Sequence, residues 1–229
     1  MKTIGLIGGM SWESTVTYYQ LINQFVAKKL GGLHSAQILL YSVDFEEIER
    51  CQSEGNWEKS GEILANIAQK LETAGADFIV ICTNTMHKVA PQIAKVISIP
   101  IIHIAETTAE VLQQSGIQTV GLLGTKYTMQ QDFYKAKLID KGLKVIIPDE
   151  QDMEIINRII FEELCLGKIN PDSRQFFQSV IDKLKKHGAE GVILGCTEIG
   201  LLIKPENSSL PVFDTTLIHA QKAAECALA

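Results

Sequence analysis

Short runs of apolar, β-branched residues alternate along this chain with longer stretches whose apolar positions recur every three or four residues. In the first half the short runs are residues 3–7, 37–43 and 77–82, and the amphipathic stretches are residues 14–30 and 59–74. Such alternation predicts parallel strands joined by helical crossovers, because a strand that re-enters a sheet in the same direction needs a connection long enough to hold a helix. The rhythm returns with apolar runs at 119–123, 144–147 and 191–194 and helical stretches at 128–141, 155–166 and 171–187, which predicts a second α/β unit.

The halves also match directly. TIGLIG at residues 3–8 corresponds to TVGLLG at residues 119–124, an offset of 116 from Thr3 to Thr119. GADFIVICTNT at residues 75–85 corresponds to GAEGVILGCTE at residues 188–198, an offset of 113 from Gly75 to Gly188. Two concordant offsets in the same order predict an internal duplication. The expected fold is therefore α/β, with two pseudosymmetric domains, each a mainly parallel sheet flanked by helices. The first domain is expected to span residues 1–99 plus 208–229 and the second residues 100–207, with a cut near Ile99-Pro100. Residues 211–214 and a helix over 216–228 are expected to return to the first half.

Length and composition fit this division. The chain has 229 residues, a length that allows one large domain or two small ones, and an apolar fraction of 46 %, enough for a substantial core. Its longest apolar stretches fall far short of the ~20 residues that cross a bilayer, and no signal-peptide pattern opens it, so it is expected to be cytoplasmic without a membrane partner. Five cysteines, at positions 51, 82, 165, 196 and 226, form no CxxC pair, which argues against a disulfide framework or a structural metal site. The net charge is −6, and the lysines are scattered, so the basic stripe expected of a nucleic-acid binder is missing.

The candidate chemistry sits where each repeat's strand runs into a short polar segment. In a parallel sheet those residues lie beyond the carboxyl end of the strand, where open α/β folds bind ligands. The 113-residue offset places Thr83 opposite Cys196. Facing each other across a pseudo-twofold axis, these side chains would approach one small molecule from opposite faces, as inversion of a stereocentre by proton removal and return requires. Asn84, Thr85 and Thr197, with their backbone amides, are placed to donate to a substrate carboxylate and so stabilise a carbanion.

Several stretches carry a resemblance to a known family: TIGLIGGMS from Thr3, MSWEST at 10–15, GGLHSAQ at 31–37, CTNTMHK at 82–88, GLLGT at 121–125, IFEELCLG at 160–167 and GCTE at 195–198. Across essentially its whole length the chain resembles the aspartate/glutamate racemases, most closely the bacterial L-aspartate/glutamate-specific and broad-specificity amino-acid racemases. The resemblance implies cofactor-independent inversion at Cα of aspartate, glutamate or another polar amino acid such as homoserine, in an interdomain cleft. It also implies one proton carrier from each domain, a preference for the L enantiomer, Met10 and Gln52 as substrate contacts, and a homodimer. A cysteine-dependent decarboxylase or cis-trans isomerase of small diacids, and a non-catalytic binding protein, are the competing functions.

One departure changes the expected chemistry. The family's first motif has cysteine directly before Asn-Thr, where this chain has Thr83, with Cys82 one residue earlier. Since successive side chains of a strand alternate, Cys82 is expected to point away from the site and Thr83 to take the matching role. A free thiol titrates near ~8.5 whereas a threonine hydroxyl keeps its proton, so the two halves are not equivalent, with Cys196 expected to act as thiolate.

Other residues stay open on sequence alone. Glu198 either orients Cys196, binds a substrate ammonium or sits in a helical turn. Gly8 and Gly9 predict a tight turn whose N–H groups reach an anionic ligand, in a spacing that fits neither a dinucleotide fingerprint nor a P-loop. His87, one helical turn after Thr83, is expected to be structural, as are Cys51, Cys165, Cys226, Trp12 and Trp57. His103 and His219 have no assigned role.

Overall fold

The computed structural model describes residues 1–229. Its strands are β1 (Ile4–Gly8), β2 (Ile38–Ser42), β3 (Phe78–Ile81), β4 (Ile101–Ile102), β5 (Thr119–Gly124), β6 (Lys144–Ile146), β7 (Gly191–Gly195) and β8 (Val212–Asp214). Its helices are α1 (Trp12–Leu30), α2 (Phe45–Ser53), α3 (Trp57–Thr73), α4 (Ala90–Ala94), α5 (Ile104–Gln114), α6 (Lys126–Gln130), α7 (Asp132–Ile139), α8 (Glu150–Glu162), α9 (Pro171–Lys186), α10 (Ile199–Leu202) and α11 (Thr215–Leu228). Two four-stranded parallel sheets result, ordered β2-β1-β3-β4 and β6-β5-β7-β8. The duplicated segments occupy the same places in each, with β1 and β5 as one central strand and β3 and β7 as the other.

Apart from Thr119 at the start of β5, the central strands are buried on both faces, which is why they read as continuous apolar runs rather than alternating ones. Helices cover them with stripes spaced at one turn. In the first unit α1 contributes Tyr18, Ile22 and Val26, and α3 contributes Leu64, Ile67, Ala68 and Leu71, to opposite faces of one sheet. In the second, α9 contributes Phe177, Val180, Ile181 and Leu184. Burying each large aliphatic side chain stabilises the fold by about 1.5–3 kcal/mol before conformational entropy is subtracted. Helix ends follow local chemistry: Asp149 accepts from the Asp152 N–H at the start of α8, and Asn170 caps α9 ahead of Pro171.

Two compact units form, Met1–His103 with His219–Ala229, and Ile104–Ile218. The boundaries fall at 103/104 and 218/219, four and eleven residues beyond the expected 99/100 and 207/208. β4 pairs with β3 through Ile79 and Ile101, which keeps residues 100–103 in the first unit. β8 pairs with β7, Ile193 opposite Phe213, so residues 211–214 complete the second sheet instead of returning to the first. The remainder of α11 does pack on the first sheet, through Ala220, Ala223, Ala224 and Ala227. The helix expected over 128–141 is interrupted at Gln131, whose backbone is extended at φ −84° and ψ 153°, giving α6 and α7. No helix is long and apolar enough to cross a membrane.

Candidate active site

In each sheet the strand order reverses between the two central strands, and the crevice at their carboxyl ends is the ligand position of open α/β folds. In the first unit that point lies between β1 and β3. Met10 stands just beyond β1, buried with Ile48 of α2 and Met86. Thr83 stands just beyond β3, followed by Asn84 and Thr85, which opens a 3-10 helix over Thr85–Val89. Gln52, near the end of α2, donates from Nε2 to Met86 Sδ at 3.0 Å, which brings it to the same 3-10 helix. Met10, Gln52, Asn84 and Thr85 are all buried, and Thr83 is partly exposed.

The turn after β1 is tight, as expected, but its donor is already used. Gly9 has φ +91°, and a Cβ there would lie 2.3 Å from the Val43 carbonyl oxygen, so only glycine fits. Its N–H donates to Thr15 Oγ1 at 2.7 Å, and Thr15 in turn donates to the Ser11 carbonyl. Gly9 therefore holds the turn together rather than presenting its N–H to an anion.

The ladder continues one residue past β3, since the Cys82 N–H donates to the Ile7 carbonyl at 2.9 Å. Cys82 still obeys strand alternation and points into the core among Tyr18, Ile22 and Val26, where burial pushes its thiol pKa up. Thr83, next along, leaves that core. His87 Nδ1 donates to the Thr83 carbonyl at 2.8 Å. Lys88 Nζ lies 3.8 Å from the ring centre of Trp57, and partial desolvation lowers its pKa. Trp57 is therefore a packing surface for that lysine, whereas Trp12 is 65 % exposed.

In the second unit Cys196, Thr197 and Glu198 fill the short connection from β7 to α10. β7 closes against β5 with almost no clearance: a Cβ on Gly195 would come 2.8 Å from the Leu123 carbonyl oxygen. Cys196 is 8 % exposed, and its Sγ donates to Glu198 Oε2 at 3.0 Å. The same oxygen accepts the Thr197 hydroxyl at 2.7 Å. Of the three sequence possibilities for Glu198, the structure displays two: the hydrogen bond to Cys196, and a place at the start of α10 with helical backbone.

That arrangement sets the protonation of the thiol. Burial raises the Cys196 pKa well above its ordinary value, the Glu198 charge raises it further, and Cys165 adds a smaller push in the same direction. These causes favour the protonated form of Cys196, with the Glu198 carboxylate as its hydrogen-bond acceptor. Cys51, Cys82, Cys165, Cys196 and Cys226 are all unbridged.

Two features escaped the sequence reading. Thr125 follows β5 at the second sheet's switch point, where its hydroxyl caps α6 by accepting from the Thr128 N–H. The repeat itself could have found it, because the 116-residue offset places Thr125 opposite Gly9. A buried ring cluster under Thr83 is the other: His219 meets Tyr18 OH through Nδ1 at 2.8 Å and the Ile102 carbonyl through Nε2 at 2.7 Å, and His87 lies between His103 and His219.

Comparison with known proteins agrees with this architecture. The family model described as Asp/Glu/Hydantoin racemase matches residues 7–223. A crystal structure of a candidate Asp/Glu racemase from Yersinia pestis is 56 % identical, covers 100 % of both chains and superposes with a TM-score of 0.93. An aspartate racemase homologue from Pyrococcus horikoshii is 38 % identical over 100 % of both chains with a TM-score of 0.87. The broad specificity amino-acid racemase RacX of Bacillus subtilis is 24 % identical over 99 % of this chain and 98 % of its own. Two parallel-sheet units with a polar segment after corresponding strands, and a family match across nearly the whole sequence, make this chain an isomerase that belongs to the Asp/Glu/Hydantoin racemase family.

Proposed function

We propose that the chain inverts the Cα configuration of aspartate or glutamate, or of another polar amino acid such as homoserine, without a cofactor and with the L enantiomer favoured. The observation that carries this reading is the Cys196 thiol bonded to the Glu198 carboxylate just beyond β7, at the position the repeat pairs with Thr83 beyond β3. Names of relatives given as aspartate or broad-specificity amino-acid racemases support the substrate class.

In the proposed reaction Glu198 takes the thiol proton, and the Cys196 sulfur then removes the Cα proton from one enantiomer. The resulting carbanion places its charge on the substrate carboxylate, where Asn84, Thr85 and Thr197 donate hydrogen bonds that strengthen as charge develops. Thr83 donates or relays a proton to the opposite face, its hydroxyl taking a replacement from solvent as it gives one up, and the proton left on the Cys196–Glu198 pair returns to solvent. Met10 and Gln52 hold the rest of the substrate, and the working form is a homodimer.

The test is incubation of the purified protein in D2O with L- or D-aspartate, glutamate or homoserine, following Cα deuterium by NMR and configuration by chiral chromatography. Deuterated, inverted product that disappears in Cys196→Ala and in Thr83→Ala is expected. Absence of exchange with every substrate would sink this reading, and carbon dioxide release from a small diacid would replace it with the decarboxylase.

A further inference from the structure

We propose that His87 is a positioning residue for Thr83, holding that side chain on its face of the substrate; this inference rests on the racemase reading above. The reason begins with the backbone. Thr83 lies past the end of the β3 ladder, and the segment that follows is a 3-10 helix, whose bonds run to the third residue rather than the fourth. The His87 N–H accordingly goes to the Asn84 carbonyl at 3.1 Å. The Thr83 carbonyl is met instead by the His87 side chain, through Nδ1 at 2.8 Å.

A carbonyl can only accept, so Nδ1 of His87 carries hydrogen. The ring that delivers it is 1 % exposed and cannot swing, because it packs edge-on against His103 at 4.6 Å and His219 at 5.6 Å between centroids. His219 is fixed in turn. The Ile102 carbonyl requires hydrogen on Nε2, which leaves Nδ1 to accept from the Tyr18 hydroxyl. Side chains from α1, α11 and the segment after β4 therefore brace one ring, and that ring grips one peptide group.

Aliphatic side chains would fill this volume without the desolvation cost of buried imidazoles, which points to directional bonding rather than packing as the reason for them. A proton donor must sit within a few tenths of an ångström of its productive place, and a shift of about 1 Å costs up to roughly 10²-fold in rate.

The experiment separates positioning from general damage. In D2O the enantiomer served by Cys196 can lose its Cα proton and recover deuterium on the same face, giving exchange with retention, or receive it from the Thr83 face, giving inversion. In full-length His87→Leu, inversion is expected to fall roughly 10- to 100-fold while exchange with retention continues, so the exchange-to-inversion ratio rises by that factor. His87→Asn, whose Nδ2 takes the place of Nδ1, is expected to restore the ratio to within about threefold of wild type.

A leucine variant that lowers exchange and inversion together, with the ratio unmoved, would overturn the proposal, as would an asparagine variant that fails to recover. Should His87→Leu not fold, His87→Phe keeps the ring volume without the donor and is read the same way. Wild-type protein that exchanges no substrate proton would sink the racemase reading itself, and that result is told apart before any variant is made.

Discussion

The Cys196 thiol and the Glu198 carboxylate share one hydrogen bond of 3.0 Å in a pocket of protein that excludes most water. Burial and the neighbouring charge both favour the protonated sulfur, and in the proposed reaction Glu198 takes that proton when the sulfur acts as a base. Replacing the carboxylate by a neutral amide removes one of the causes that raise the thiol pKa. Glu198→Gln is expected to shift the pH dependence of Cys196 alkylation to lower pH, while racemisation falls roughly 10²-fold through loss of the proton acceptor. An alkylation profile that stays in place would show that the Glu198 charge does not act on the sulfur.

The proposed reaction, with a hydroxyl as one proton carrier and a thiol as the other, predicts kinetic asymmetry. Since enantiomers have equal free energies, kcat/KM must be the same in both directions, so the asymmetry appears in kcat and in the isotope effects with Cα-deuterated substrates. Thr83→Cys makes the carriers alike and is expected to bring the two isotope effects together. Equal effects already in the wild type would argue against unlike carriers.

His219 gives a pH signature in stability. Burial, with a smaller contribution from His87, lowers its pKa from 6.5 to about 3, so the folded protein keeps it neutral while the unfolded chain takes up a proton below pH 6.5. The depressed group therefore contributes stability that is present above pH 6.5 and is lost as pH falls towards 3, at up to about 1.4 kcal/mol per pH unit. Urea unfolding of His219→Gln, whose amide can still donate to Ile102, is expected to show a shallower decline over that window. Parallel declines for the variant and wild type would remove His219 as the cause.

Gly9→Ala tests the turn after β1. A Cβ at φ +91° and 2.3 Å from the Val43 oxygen combines backbone strain with overlap, and together they are expected to cost at least about 2 kcal/mol. The urea midpoint reports the loss, and an unchanged midpoint would mean that the turn relaxes freely.

The two sheets were legible because β1, β3, β5 and β7 are buried on both faces, so their apolar runs stand out without reference to anything distant. The repeat offsets then ordered the polar segments. The sheet joined by β8 was not legible, since Val212–Asp214 is short and the sixteen residues between it and β7, 196–211, are irregular chain and short helix. α5 escaped because its threonines dilute the apolar stripe, while Thr107 and Thr108 satisfy their hydroxyls on the Ile104 carbonyl only once the helix exists. At the site, the positions of Thr83 and Cys196 beyond their strands were readable, but the upward push on the Cys196 thiol was not. It depends on burial and on the direction the Glu198 side chain takes, neither of which a spacing records.

Thr83 and Cys196 stand just beyond β3 and β7, and neither side chain takes part in the ladders that hold the sheets. A single codon change there can exchange hydroxyl for thiol while the surrounding architecture drifts neutrally. The duplicated scaffold is in this sense evolvable one face at a time, and its present mismatch of side chains is a state selection could reach, and leave, without passing through an unfolded intermediate sequence.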